Sequence, residues 1–206
     1  MTRAPTPSPF KPRKAPTQSR SEKTVAAILE AAAQVLEKDG LEGFNTNAVA
    51  RRAGVSIGSL YQYFPGKDAL TLALLQREGD RFQVEALTAL EQPTGVEAIK
   101  VFIGACVRQQ LLRPALARLL DVEESRPALR KESGGATALL AILQDILAWP
   151  DLPSQMRPEI AARDLLAIVR GLTDTAGEHG EVDIADLERR IEPAVFGYLG
   201  VSDRPI

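Results

Sequence analysis

The chain has 206 residues, 45% of them hydrophobic and 25% charged, and a formal net charge of −2. A chain of this size buries about 70% of the surface its unfolded form exposes, enough for one or two domains without a covalent staple. The lone cysteine, Cys106, cannot close an internal disulfide, and with the lone histidine, His179, it cannot furnish a zinc set, so composition speaks against a disulfide scaffold and a zinc finger.

The charge is unevenly placed. Residues 1–20 carry five bases (Arg3, Lys11, Arg13, Lys14 and Arg20) and no acid, residues 21–67 balance five bases with five acids, and residues 68–206 set 15 bases against 22 acids, leaving −7. The first stretch also holds five of the 14 prolines and few large apolar side chains, so it is expected to form a basic arm without a core of its own. It lacks the apolar run of a secretory signal, its prolines break the amphipathic helix of a transit peptide, and no stretch reaches the roughly 18 apolar residues of a membrane span. A cytoplasmic protein with no membrane partner is the expectation.

From Ser21 onward the apolar spacing is helical and no run of alternating β-branched residues stands out, which predicts an all-α fold of about nine helices. The first helix is expected over about 20–39: Val25, Ile28, Leu29, Ala32, Val35 and Leu36 share one face, Ser19 and Glu22 form a capping box, and Gly40 is the stop. A second short helix over 46–53 is entered through Asn45 and stopped by Gly54, with Val49, Ala50 and Ala53 on its apolar side. Ser56 caps a third over 57–64, Val55 and Leu60 are placed for a hydrophobic staple, and Pro65 ends it. Longer helices follow over about 67–90, 95–112, 114–124, 136–148, 158–178 and 183–199, with proline and glycine punctuation between them. No internal repeat is present.

Two short helices joined by a tight glycine-containing turn have the shape of a helix-turn-helix. Leu60 and Phe64, four apart, can pack inward, which leaves Ile57, Gly58, Tyr61 and Gln62 outward. Glycine inside a helix costs about 1 kcal/mol against alanine, so Gly58 calls for a reason, and close approach to another surface supplies one. Tyr61, Gln62 and Tyr63 offer hydroxyl and amide groups to phosphates and base edges. Lys67 opens the next helix at its positive end, a conflict that a DNA phosphate would relieve.

The segment Ala53-Gly54-Val55-Ser56-Ile57-Gly58-Ser59-Leu60-Tyr61-Gln62-Tyr63-Phe64-Pro65-Gly66-Lys67-Asp68-Ala69-Leu70 resembles the DNA-binding signature of TetR-type transcriptional regulators. The resemblance is specific over about 21–70 and only architectural over 71–206. It implies a three-helix DNA-binding domain over 21–66 behind the basic arm of 1–20, a ligand-binding and dimerisation domain over 67–200, and a tail over 201–206. By the same resemblance Thr46 would touch the phosphate backbone, Ser56, Gly58, Ser59, Tyr61, Gln62 and Tyr63 lie on or beside the reading helix, and Lys67 would hold a phosphate after it. Asn45 and Ala48 depart from the Ser/Thr and the polar or charged residue that the family often has there. Arg51 and Arg52 are read as helix surface rather than base readers.

Gly54-Val55-Ser56-Ile57-Gly58 also matches the nucleophile elbow of serine hydrolases, with Ser56 as nucleophile, but that motif needs a strand before the serine, and 47–53 reads as a helix. His179 falls in a last helical turn, where histidine complements the dipole. No dinucleotide fingerprint, phosphate-binding loop or zinc-protease motif appears. The expectation is therefore a chain with no catalytic residue, cofactor or metal.

Phe82, Phe102, Cys106, Gln109, Gln110 and Trp149 could line an apolar pocket with a few polar groups for an unidentified small-molecule effector, although plain core is the simpler reading of Phe82, Phe102 and Cys106. Leu165, Val169, Leu172 and Ala176 on one late helix, with Ile184, Leu187, Ile191, Val195 and Tyr198 on the next, could build a two-fold four-helix interface. The expected protein is a homodimeric repressor of a palindromic double-stranded operator, released by its effector. The alternative is a helix-turn-helix protein without small-molecule control.

Overall fold

In a computed structural model the chain is described over residues 19–129 and 135–201. The expected arm and tail lie outside these, apart from Ser19, Arg20 and Val201. Every regular element among the described residues is helical: α1 (Ser19–Gly43), α2 (Thr46–Ala53), α3 (Ile57–Tyr63), α4 (Lys67–Leu87), a 3-10 turn (Thr88–Glu91), α5 (Gly95–Leu111), α6 (Pro114–Glu124), α7 (Gly135–Leu147), α8 (Pro158–Glu178) and α9 (Ile184–Leu199). Residues 127–129 add a short helical stretch. None of the described helices is long and apolar enough to cross a membrane.

The boundaries follow from local chemistry. Gly40 breaks α1 at φ 64°, ψ −169°, and one further turn carries the chain to Gly43, three residues past the expected stop. Helix α4 gives way to a 3-10 turn sooner than its apolar spacing suggests, with the Thr88 hydroxyl donating to the Glu85 carbonyl at 2.7 Å. Asp183 caps α9 by accepting from the Asp186 amide at 3.0 Å, and Gly200 closes it in the left-handed region at φ 73°.

The chain divides into two compact units. One takes the described residues through Arg77 together with those from Leu119 to 129, and the other takes Glu78–Arg118 and residues 135–201. The chain passes between them within α4 and within α6. The first unit runs beyond residue 66 because Ala69, Leu70, Leu72 and Leu74 of α4 are buried with Ile28, Leu36, Phe44, Val49, Leu60 and Phe64. Within it, the Arg126 guanidinium bonds Glu123 at 2.7 Å and Asp68 at 2.9 Å, tying the end of α6 to the start of α4.

In the second unit α5 packs against α8, α9 and the 3-10 turn, and α7 packs against α8. Ile99, Phe102, Ile103, Leu143, Ile146, Leu165, Val169, Leu187 and Ile191 form its centre. The N-terminus of α5 is capped twice. Thr94 accepts from the Glu97 amide at 3.2 Å, and Asp151, 56 residues away, accepts from the Gly95 amide at 2.9 Å and from Val96 at 3.2 Å. Those amide donors, Gly95 first, hold the Asp151 carboxyl below the usual carboxylate range.

Candidate nucleic-acid interface

Helix α2, the turn and α3 are set almost wholly by neighbouring residues. The Asn45 side chain accepts from the Ala48 amide at 2.9 Å, Gly54 turns the chain at φ 68°, and the Val55 amide closes on the Ala50 carbonyl at 3.1 Å. Ser56 then caps α3, its Oγ accepting from the Ser59 amide at 3.0 Å and pairing with the Ser59 hydroxyl at 2.8 Å. Val49 and Ala50 face inward from α2, and Leu60 and Phe64 do so from α3 and its end, so the two short helices share one apolar floor. That arrangement defines a helix-turn-helix.

The outward face of α3 carries the side chains named from the sequence. Ser56, Gly58 and Gln62 are exposed, Tyr61 is 42% exposed, and Ser59, Tyr63 and Thr46 are half-buried. The Thr46 and Tyr61 hydroxyls stand 3.2 Å apart across the two helices. A Cβ placed on Gly58 would have the Ser56 Oγ as its nearest neighbour, at 3.9 Å, so nothing within the chain requires glycine there. Residues 46–53 are helix, not the strand that a nucleophile elbow needs, and the Ser56 hydroxyl is engaged as a cap.

Lys67 has partners within the chain. Its half-buried ammonium lies over the Phe44 ring, 5.3 Å from the centroid, and donates to the Leu41 carbonyl at 3.3 Å, so part of its conflict with the α4 dipole is relieved inside the chain. An ammonium has three donors, and the others remain for an anion. Arg52 donates from Nε to Gln34 at 2.8 Å and Gln34 donates to Glu30 at 3.3 Å, so Arg52 is held along α1, while Arg51 is exposed. Arg51 and Arg52 face a shallow cleft shared with Gln34, Lys38, Asp39 and Ala48.

The six pocket candidates all lie in the second unit, where Phe102 and Cys106 are part of the buried core. Phe102, Cys106 and Gln110 are buried, Phe82, Gln109 and Trp149 half-buried, and Phe82 and Trp149 pack against the buried cluster. Burial, offset in part by Arg170, pushes the Cys106 thiol up to about 12. Gly177 makes room for Gln110, whose Nε2 would lie 2.8 Å from a Cβ there.

Of the interface candidates, Leu165, Val169, Ala176, Leu187, Ile191 and Val195 are at most 1% exposed within this single chain, and Leu172 and Ile184 are half-buried. The six buried ones belong to the chain's own core. Tyr198 is exposed, and its hydroxyl donates to Asp164 at 2.8 Å, so the outward faces of α8 and α9 adjoin. Those faces expose Ala167 and Gly171 on α8 and Pro193, Ala194 and Gly197 on α9. His179 ends α8 as expected, its Nδ1–H donating to the Thr175 carbonyl at 2.9 Å.

Three groups went unnoticed in the sequence: the Asp151 cap, the Arg126 bridge, and Arg108, which pairs with Glu85 of α4 and with Glu188 of α9 beside Gly104. The signal for the last is the missing Cβ of Gly104, which would lie 2.9 Å from the Arg108 guanidinium.

A helix-turn-helix unit joined to a helical body is the class that fold and interface define. Residues 28–74 match the family model of the bacterial regulatory proteins of the tetR family. The chain is 44% identical over 115 residues to the HTH-type transcriptional repressor KstR of Rhodococcus jostii, covering 52% of each. It is 35% identical over 96 residues to KstR of Mycolicibacterium smegmatis, covering 44% of this chain and 47% of that one. It thus spans about half the length of the curated relatives it matches. Among solved structures, a TetR transcriptional regulator from Rhodococcus sp. RHA1 superposes with a TM-score of 0.63 at 26% identity, covering 89% of this chain and all of that one. The regulator FadR from Bacillus subtilis, in complex with stearoyl-CoA, superposes with a TM-score of 0.73 at 19% identity, covering 82% and 96%. Over residues 28–74, then, the chain is similar to the DNA-binding part of the bacterial regulatory proteins of the tetR family, and its helical fold is that of the TetR regulators it superposes on.

Proposed function

We propose that the protein is a dimeric transcriptional repressor that reads a palindromic operator through α3 and leaves it when a small molecule binds the second unit. The observation that carries the reading is the outward face of α3: a glycine that nothing inside the chain requires, flanked by exposed hydroxyl and amide side chains. Thr46, Ser56, Gly58, Ser59, Tyr61, Gln62, Tyr63 and Lys67 form the docking surface, with the remaining Lys67 donors on a phosphate. The repressor names of the relatives support the same reading.

Dimerisation is assigned to the outward faces of α8 and α9, where Ala167, Gly171, Ala194 and Gly197 permit helices to approach closely. Because Phe102, Cys106 and Trp149 are packed in or against the core, an effector must part them in order to enter, and a long apolar chain, such as the acyl group of the stearoyl-CoA named with the Bacillus subtilis structure, suits such a lining. Helix α4 contributes residues to both units and is the route by which that opening reaches Lys67. Coupling of this kind is typically about 1–3 kcal/mol, and the effector must favour one state over the other.

The test is selection of genomic fragments by the purified protein, followed by a release screen that includes stearoyl-CoA. Recovery of a palindromic duplex released by one compound is expected. Failure to enrich any duplex removes the DNA reading, and enrichment without release by any compound favours the reading without small-molecule control.

A further inference from the structure

Resting on that DNA-reading function, the geometry points to Thr46 as a positioning residue for Tyr61 rather than an independent phosphate ligand: Thr46 donates its hydroxyl hydrogen to the phenol oxygen, and the phenol donates its own to an acceptor on the operator.

The two oxygens stand 3.2 Å apart, so one hydroxyl is the donor to the other. Phosphate oxygens and the purine N7 only accept, so whichever hydroxyl faces the DNA must keep its hydrogen for it. The phenol is the more acidic donor and the more exposed of the pair, at 42%, whereas Thr46 is half-buried. A phenol that accepts a bond through its oxygen is polarised towards giving its own hydrogen. The order Thr46 to Tyr61 to operator follows.

Thr46 is available for this task. It is the first residue of α2, yet the helix end is capped by Asn45, which takes the Ala48 amide at 2.9 Å. Its β-branched side chain has few rotamers, and α2 is anchored by buried Val49 and Ala50, so the hydroxyl is fixed on a rigid support. Tyr61 lies on the outward face of a seven-residue helix and is 42% exposed, and the bond from Thr46 reaches its phenol from the neighbouring helix. The bond from α2 therefore aims the phenol.

The experiment is a double-mutant cycle with Thr46→Val and Tyr61→Phe, read by anisotropy on a fluorescein-labelled duplex that the wild type selects from a random-sequence pool. Helix content is checked by circular dichroism, and Thr46→Ser is the rescue variant. Each single change is expected to weaken binding by about three- to tenfold, the worth of one hydrogen bond. The double variant is expected to bind no worse than Tyr61→Phe, and Thr46→Ser to recover most of the loss. If Thr46→Val costs the same factor in the Tyr61→Phe background, or nothing in the wild type, the positioning role is overturned while the DNA reading stands. A wild type that selects no duplex removes both.

Discussion

Replacing Gly58 with alanine separates what α3 needs in order to fold from what it needs in order to dock. Gly58 is the second residue of α3, and an added Cβ finds only the Ser56 Oγ, at 3.9 Å, an ordinary contact. The methyl therefore meets no obstruction, and the helix gains part of the roughly 1 kcal/mol by which alanine exceeds glycine; near a helix end, about 0.5 kcal/mol is reasonable. For a chain of this size that raises the unfolding midpoint by about 1–2 °C. On DNA the same methyl stands where the groove is to come closest, and overfilling a packed contact costs about 1–3 kcal/mol, or roughly five- to 150-fold in affinity. Thermal melting followed by circular dichroism reads the first effect, and anisotropy titration on a selected duplex reads the second. A variant that is more stable and binds as tightly as the wild type refutes the close approach, and a variant that melts lower refutes the open space beside Gly58.

The remaining expectations concern groups that hold the two units. Asp151→Asn keeps an accepting oxygen but removes the charge from the remote cap of α5 and should lower stability by about 0.3–1 kcal/mol in denaturant titration at neutral pH. Because the folded carboxyl titrates below its unfolded value, that advantage is fully present above about pH 4 and disappears as pH falls through the folded value, so the wild type and the variant should converge in acid. Arg126→Ala leaves the 8%-exposed Glu123 side chain without its guanidinium and should cost about 1–3 kcal/mol, largely recovered by adding Glu123→Gln; equal stability of the single variant and the wild type would show the bridge to be idle. Gly171→Arg places a long cation on the outward face of α8 and should yield a folded monomer in sedimentation, with weaker operator binding; a dimer unchanged by it moves the interface elsewhere.

How far the sequence could be read depends on how far apart the interacting residues are. Asn45, Gly54 and Ser56 were legible because a cap or a left-handed turn is satisfied within about three residues, and Leu60 and Phe64 because a single helical turn relates them. The Asp151 cap joins residues 56 apart, and the Arg126 bridge to Asp68 joins residues 58 apart; no periodicity announces either. Lys67 is intermediate. Its conflict with the α4 dipole was visible, but its internal partner, the Leu41 carbonyl, exists only because α1 resumes for one turn after Gly40. On α8 and α9 the apolar rows are legible as rows, but what covers each residue in them is not. Periodicity finds the face that must leave water, and in Leu165, Val169, Leu187 and Ile191 that face is covered by the chain itself.

The helical glycines distinguish the two kinds of covering better than the apolar rows do. At Gly95, Gly104 and Gly177 a Cβ would come within 3.0 Å of Leu152, Arg108 or Gln110, so the chain's own packing accounts for the missing side chain. At Gly58, Gly171 and Gly197 a Cβ would meet no atom within 3.5 Å, although each residue lies in a helix that alanine would strengthen. Nothing inside the chain maintains glycine at these three places, and all three are exposed. One lies on the reading helix and the others on the adjoining outward faces of α8 and α9, the surfaces to which the operator and the second subunit are assigned. Gly79 of α4 has the same open surroundings, and nothing in the structure explains it. A partner that must come within van der Waals distance of the backbone explains the first three, because a methyl that costs the free chain nothing then costs the complex its closest contact.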